Sequence, residues 1–164
     1  MAHASMLSRV VAKVARFPPP LRSLLITKMF TSQVKFAGTG GVEFLELEEG
    51  RAVLAIRNRR KVQNHIRGIH AAAMALLAET ATGAVLGMTL PDSRIPLLKT
   101  LHVDYVRRAK GALRAEATLT PEMRQRVLNE PKGDVAVPIK VTDEDGEEPI
   151  KCQMVWAWIP KKAQ

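Results

Sequence analysis

The sequence predicts an α+β domain. An antiparallel sheet of about five to six strands wraps around one long central helix, with short helices at the N-terminus. Three observations predict it. From Ile69 to about Met88 the chain is aliphatic, alanine-rich and apolar nearly all round, as a helix buried on most sides must be. Alternating apolar and polar segments flank that stretch, two before it and four after it. A length of 164 residues suits one domain, and a hydrophobic fraction of 46% supplies its core. Aromatic residues make up only 4%, so aliphatic side chains must fill that core.

The elements follow in order. The leading MAHAS is open to two readings, native sequence or vector-derived residues. Leu7, Val10, Val11 and Val14 fall at helical spacing, so MLSRVVAKVARF is a short basic amphipathic helix. Three roles compete for it: packing on the domain, lying on a membrane surface, or serving as a mitochondrial targeting peptide. Packing is preferred. Phe17 to Pro20, FPPP, ends this helix because proline cannot continue one. LRSLLITKMF forms a second short helix. Residues 1–33 are thus expected as a helical segment packed on a domain spanning 34–164, with strands from Val34 onward. VEFLELEEGRAVLAI is a hairpin around Glu49-Gly50. Arg57 to Lys61, RNRRK, is a basic run, and the long helix follows. LPDSR is a turn. PLLKTLHVDYVRRAKGALRAEATL holds two strands joined near Lys110-Gly111. Pro121 to Pro131 is a polar excursion with room for one helical turn. DVAVPIKVTDEDGEEPIKCQMVWAWI is a final hairpin around Asp145-Gly146.

Charge narrows the partners. The net charge is +9 and the pI about 10.1, which favours nucleic acid, anionic lipid or small phosphorylated ligands. Nucleic acid is discounted, because the non-phenylalanine aromatics are only Tyr105, Trp156 and Trp158, and they form no stacking motif. No run of about 18 uninterrupted apolar residues marks a membrane span. The single cysteine, Cys152, excludes an internal disulfide and fits a reducing compartment. It reads as a packed strand residue rather than a catalytic thiol. The expected location is cytoplasmic, with the mitochondrial matrix as the alternative if the first helix is a targeting peptide. The four histidines lack metal-ligand spacing; His65 and His102 read as structural. A glycine-rich phosphate loop and a nucleophile elbow are both absent. Neither metal nor cofactor is expected.

The chemistry concentrates in residues 64–79, NHIRGIHAAAMALLAE. Glu79 sits about ten residues into the helix among Leu76, Leu77 and Ala78, where burial raises a carboxyl pKa unless a partner stabilises the charge. Asn64 and His70 are the nearest polar candidates. His70 lies nine residues away, about 13.5 Å along a helix and nearly opposite in direction. Within one chain the two cannot meet. A joint site requires Glu79 of one subunit and His70 of another, so a two-fold dimer would hold two such sites. At the helix start, free N–H groups around Ala71 and Ala72 can polarise a carbonyl and stabilise an oxyanion. Small side chains at 71–73 leave room for a ligand. A carboxylate facing that carbonyl can activate water or attack as a nucleophile, which describes acyl transfer to water. Structural readings stand beside these: His70 as a helix cap, Glu79 as an ion-pair partner across an interface, Asn64 as a loop residue bonding its own backbone.

This stretch resembles the helix-entry motif of hotdog-fold thioesterases of the phenylacetyl-CoA type. In these an Asn precedes a His followed by two small residues, and an Asp or Glu comes nine positions after the His. Asn64, His70, Ala71 and Glu79 match. With RRKVQNH upstream and LHVDYVRRAKG downstream, the chain is most similar to a family of tetrameric acyl-CoA thioesterases, from roughly Leu7 to Pro160. The resemblance implies hydrolysis of an acyl-CoA to free acid and CoA by a homodimer or dimer of dimers. Glu79, Asn64, His70 and Ala71 would be catalytic. Gly68 and Ala72 would border the substrate. Arg59, Arg60 and Lys61, or Arg107 and Arg108, would meet the phosphates of CoA. Ala71-Ala72 departs from the usual Gly-Gly, which narrows ligand access. A non-catalytic acyl or acyl-CoA binding protein on the same fold is the alternative, and membrane contact through the first helix is a less favoured one.

Overall fold

The computed structural model describes residues 5–162; residues 1–4 of the leading MAHAS, and residues 163–164, lie outside the described residues. Helix α1 (Met6–Val14) starts where Ser5 caps it, its Oγ accepting from the Ser8 N–H at 3.0 Å. The same hydroxyl donates to the Met88 carbonyl at 3.1 Å. The cap therefore also ties α1 to the C-terminal end of the central helix. Asp92 adds two bonds, accepting from the Met6 N–H and the Arg9 guanidinium, both at 2.7 Å.

Helix α2 (Pro19–Gln33) opens on proline, where a missing N–H costs nothing. Its Ser23 and Thr27 hydroxyls grip Phe44: Ser23 donates to the carbonyl at 2.5 Å, and Thr27 accepts from the N–H at 2.9 Å. Helix α3 (Lys35–Gly40) follows and closes on Gly41 at φ +71°, a left-handed cap suited to glycine. The chain thus stays helical through Gly40, and strand structure begins at Val42 rather than at Val34. The reason is close packing. A Cβ on Gly40 would lie 2.5 Å from Leu76 Cδ2, so α3 seats directly on the long helix.

That helix, α4 (Ala71–Thr89), is the centre of the domain. One four-stranded sheet has the order β1 (Val42–Glu48), β2 (Arg51–Ile56), β4 (Leu113–Thr118), β6 (Ile139–Asp143). A three-stranded sheet has the order β3 (Arg94–Tyr105), β7 (Ile150–Pro160), β5 (Gly133–Val137). Every ladder is antiparallel. Leu77, Ala81, Val85 and Leu86 of α4 are fully buried, each large aliphatic side chain contributing about 1.5–3 kcal/mol by leaving water. By length and composition α4 is apolar enough to cross a membrane, yet 61% of that span is buried inside the domain, which accounts for its character. Trp156 locks it to the second sheet: the indole donates to Thr82 Oγ1 at 2.9 Å, and the ring lies against Gly83.

The predicted architecture holds, with differences in the strands. There are seven among the described residues, because Pro138 divides the segment expected as one strand. Proline cannot donate to a ladder, and at this residue the chain changes sheets. β5 pairs with β7 and β6 with β4. The hairpin expected around Asp145-Gly146 therefore survives only at its far end. Val137↔Met154 are symmetric about that turn, but β6 peels away between them. The two strands joined near Lys110-Gly111 are present, each in a different sheet; β3 lies on β7, and β4 between β2 and β6. The polar excursion is a nine-residue helix, α5 (Pro121–Asn129), capped by Thr120.

Candidate active site

Residues 57–70 lead from β2 to α4 and carry most of the candidate groups. Asn64 pins this loop. Its Oδ1 accepts from the Ile66 and Gly68 N–H groups, both at 3.0 Å, and its own N–H donates to the Gly68 carbonyl at 2.8 Å. Arg67, between them, sits at φ +61°. The loop reading of Asn64 is thus the geometry present, and only its Nδ2 remains to meet a ligand. Gly68 is enclosed by this same turn, with Asn64 as its neighbour.

His70 caps α4, as one of its readings held. Its Nδ1 accepts from the Ala72 N–H at 3.0 Å, which leaves Nε2 to carry the ring proton and point outward. This removes the Ala72 N–H from ligand duty. The Ala71 N–H has no acceptor among the described residues and is the donor left at the helix start. The Ala71 carbonyl accepts from the Tyr105 hydroxyl at 2.9 Å, so the end of β3 braces the first turn of α4.

Glu79 lies further along α4. Burial raises its carboxyl above the ordinary value, partly opposed by the Thr80 hydroxyl 3.4 Å from Oε2. It makes no ion pair among the described residues. The helix buries every face except one stripe at four-residue spacing: Ala71 and Ala72, Ala75, Glu79, Gly83 and Gly87. Trp156 covers Gly83 and Leu7 reaches Gly87. Ala72, Ala75 and Glu79 form the part left uncovered. Eight residues separate Ala71 from Glu79, about 12 Å of helix. One chain therefore does not bring donor and carboxylate together. Alongside runs β3, an edge strand paired only with β7. It shows Ile95, Leu97, Leu101 and Tyr105 to solvent, each at least 37% exposed.

The basic runs divide. The extended segment Arg57-Asn58-Arg59 alternates its side chains between two clefts. Asn58 lines a cleft of about 420 Å³ with Arg67, Gly68, Arg107, Arg108 and Lys110. Here Arg108 donates to the Ile66 carbonyl at 3.2 Å, tying the β3–β4 connection to the loop before α4. The acidic turn 143–147 backs this wall: Arg107 lies 3.5 Å from Asp143, and Lys110 lies 3.0 Å from Asp145. Burial works against the Asp143 charge, but the N–H groups of Lys110, Glu147 and Asp145 hold its pKa below the ordinary value. Arg67 and Arg108 keep no acidic partner among the described residues. Arg57, Arg59 and Lys61 line the other cleft, and Arg60 is exposed. The structure thus places Arg107 and Arg108, but not Arg59 and Lys61, beside Gly68.

Tyr105 and Asn58 were not singled out from the sequence; nothing in a YVRR or RNR string announces a contact with residue 71 or a shared wall. His65 has no role in this geometry, and His102 faces Asp104 at 3.2 Å on exposed β3. Cys152 is half-buried, and burial, with Asp104 and Glu148 nearby, pushes its thiol up to about 11. No group of three metal-ligating side chains occurs among the described residues.

Comparison with known proteins sets this geometry in context. None of the curated proteins matches. A protein of unknown function from Pseudomonas aeruginosa has 24% identity and a TM-score of 0.74, over 82% of this chain and 93% of its own. A thioesterase family protein from Silicibacter pomeroyi has 14% identity and a TM-score of 0.64, over 82% and 96%. Thioesterase HI1161 from Haemophilus influenzae has 14% identity and a TM-score of 0.63, over 79% and 85%. These likenesses establish the hotdog fold. At the level of sequence, residues 22–159 match one family across α2, both sheets, the Asn64 loop and Glu79 alike, so the chain belongs to the family described as a domain of unknown function, DUF4442.

Proposed function

We propose that this protein is a thioester hydrolase acting on an acyl-CoA, assembled from at least two copies. The observation that carries the reading is Glu79: a half-buried carboxylate with a raised pKa and no cation partner among the described residues, at the end of an uncovered alanine stripe beside an edge strand paired on one side only. A long edge strand with exposed apolar residues is a surface for another strand. Pairing β3 with β3 of a second copy would cover it and carry the other copy's α4 start towards this Glu79.

In that assembly the Ala71 N–H polarises the thioester carbonyl. Water attacks the carbonyl carbon and gives its proton to Glu79. The oxyanion leans on the Ala71 N–H, and collapse expels the CoA sulfur, which takes the proton back. Direct attack by Glu79, with an anhydride hydrolysed in a second step, is the alternative route. His70 Nε2 and Asn64 Nδ2 are the polar ends left to orient water or substrate. Arg67, Arg107, Arg108 and Lys110 supply cations for the CoA phosphates in the cleft beside Gly68. The shared fold of two proteins named thioesterases supports this reading.

The test is CoA release by the purified protein across short, medium and aryl acyl-CoAs. Turnover that disappears in Glu79→Gln supports the assignment. Turnover unchanged in that variant, or acyl-CoA binding with no release by the unaltered protein, overturns it.

A further inference from the structure

The hydrolase reading leaves one built feature without a use. Arg57, Arg59 and Lys61 line a cleft of about 440 Å³ together with α2, α3 and the start of β1. The odd positions of the 57–61 segment all turn this way, and Asn58 turns into the cleft used above. Three cations meet one acid here. Glu43 receives both guanidiniums, from Arg57 at 3.0 Å and from Arg59 at 2.8 Å, so a single carboxylate is shared between two positive charges. The Arg57 side chain is nevertheless 65% exposed and that of Arg59 49%. Each keeps donors for a further anion. Lys61 has no ion pair among the described residues. Its end is laid over Gly41, where a Cβ would lie 3.2 Å from Cε and 3.3 Å from Nζ. Gly41 takes the left-handed conformation that suits glycine, and the absence of a side chain there leaves the ammonium room to lie against the cleft wall.

The opposite wall is hydroxylic and then apolar. Ser23, Thr27 and Thr31 face the cleft from α2; Ser23 and Thr31 donate to the carbonyls of Phe44 and Thr27, so Thr27 alone keeps a hydroxyl proton to offer, and Pro20 and the half-exposed Leu24 form the lip. A surplus of positive charge at the floor, the Thr27 hydroxyl on the wall and an aliphatic edge fit one chemistry, a phosphate group carried on an apolar body.

We propose that this cleft binds a phosphate monoester, on the face of the domain separated from the Gly68 cleft by the 57–59 segment. The aliphatic lip suits a phosphate presented by a lipid; a soluble phosphate ester shares the same contacts. The inference is independent of the hydrolase reading, and its failure would leave that reading untouched.

Glycerol 3-phosphate titrated into the isotope-labelled full chain is expected to shift the Gly41, Gly38 and Thr27 amides. Sedimentation with phosphatidylcholine vesicles, with and without phosphatidic acid, tests the lipid source. Lys61→Gln and Arg57→Gln should each weaken binding roughly tenfold. Lys140→Gln removes the same charge from β6, at the opposite edge of the sheet that carries β1, and should change nothing. Loss of both binding modes in the cleft variants supports a lipid-borne phosphate. Shifts by glycerol 3-phosphate without vesicle binding support a soluble ester. Absence of both, or equal weakening by Lys140→Gln, overturns the proposal. Retained thermal unfolding midpoints exclude misfolding as the cause.

Discussion

The phenol of Tyr105 donates to the carbonyl of Ala71 across 2.9 Å. Ala71 is also the residue whose N–H is free at the start of α4, so β3 fixes the orientation of the donor proposed to polarise the thioester. Tyr105→Phe deletes one partly exposed hydrogen bond, worth about 0.5–1.5 kcal/mol. The expected outcome is a small loss of thermal stability and a fall in kcat of about tenfold, with KM little changed. Steady-state kinetics and calorimetry check this together.

Glu79→Gln should separate activity from stability. A general base contributes about 10²–10⁴-fold, and turnover should drop by that order. Stability moves the other way. The folded pKa of Glu79 lies above its unfolded value. The carboxyl therefore favours the folded state while protonated, at low pH, and that contribution is lost as pH rises through the folded pKa. At neutral pH the charged form is a burden, and removing it should raise the unfolding temperature. Activity of the unaltered protein should conversely decline on acidification, with a midpoint above that of an ordinary glutamate. A pH–rate profile of kcat/KM reads that midpoint.

Arg108→Gln should raise KM for acyl-CoA roughly tenfold, because it removes a cation without an acidic partner from the cleft beside Gly68. Hydrolysis of a short acyl thioester lacking the nucleotide should be unaffected. Equal losses on both substrates would assign Arg108 to the loop bond with Ile66 rather than to phosphate.

A charge in the middle of β3 should dissolve the assembly. Leu101 is 47% exposed on the edge strand. Leu101→Asp is expected to give monomers in analytical ultracentrifugation, with an intact circular dichroism spectrum and lost turnover. Retained oligomers with retained activity would place the interface elsewhere.

Cys152→Ala should keep full activity, and the thiol should react slowly with alkylating reagents at neutral pH. Its pKa of about 11 leaves almost no thiolate there.

Much of this structure is legible in the sequence where periodicity carries it. The 69–88 helix, the Glu49-Gly50 hairpin and both N-terminal helices follow from spacing and from proline. Pairing is different. Whether β3 meets β4 or β7 depends on how two sheets share one helix, and neither strand's alternation encodes that choice. Pro138 was visible, but its consequence, a change of sheet, is a tertiary effect. The site divides likewise. The Glu79 environment can be read from Leu76, Leu77 and Ala78. The Ala72 N–H is legible only as one of two readings of His70, helix cap or site residue, and a single rotamer decides between them. The parting of Arg59 from Arg108, which the alternation at Asn58 decides, cannot be read.

That alternation has an evolutionary corollary. Three consecutive residues form a party wall between two cationic chambers, and their direction follows a two-residue rhythm. Inserting one amino acid between Ile56 and Arg57 would transpose the side chains, turning Arg57 and Arg59 out of one chamber and towards the other. Relatives that differ in length at this point should therefore change both ligand preferences at once.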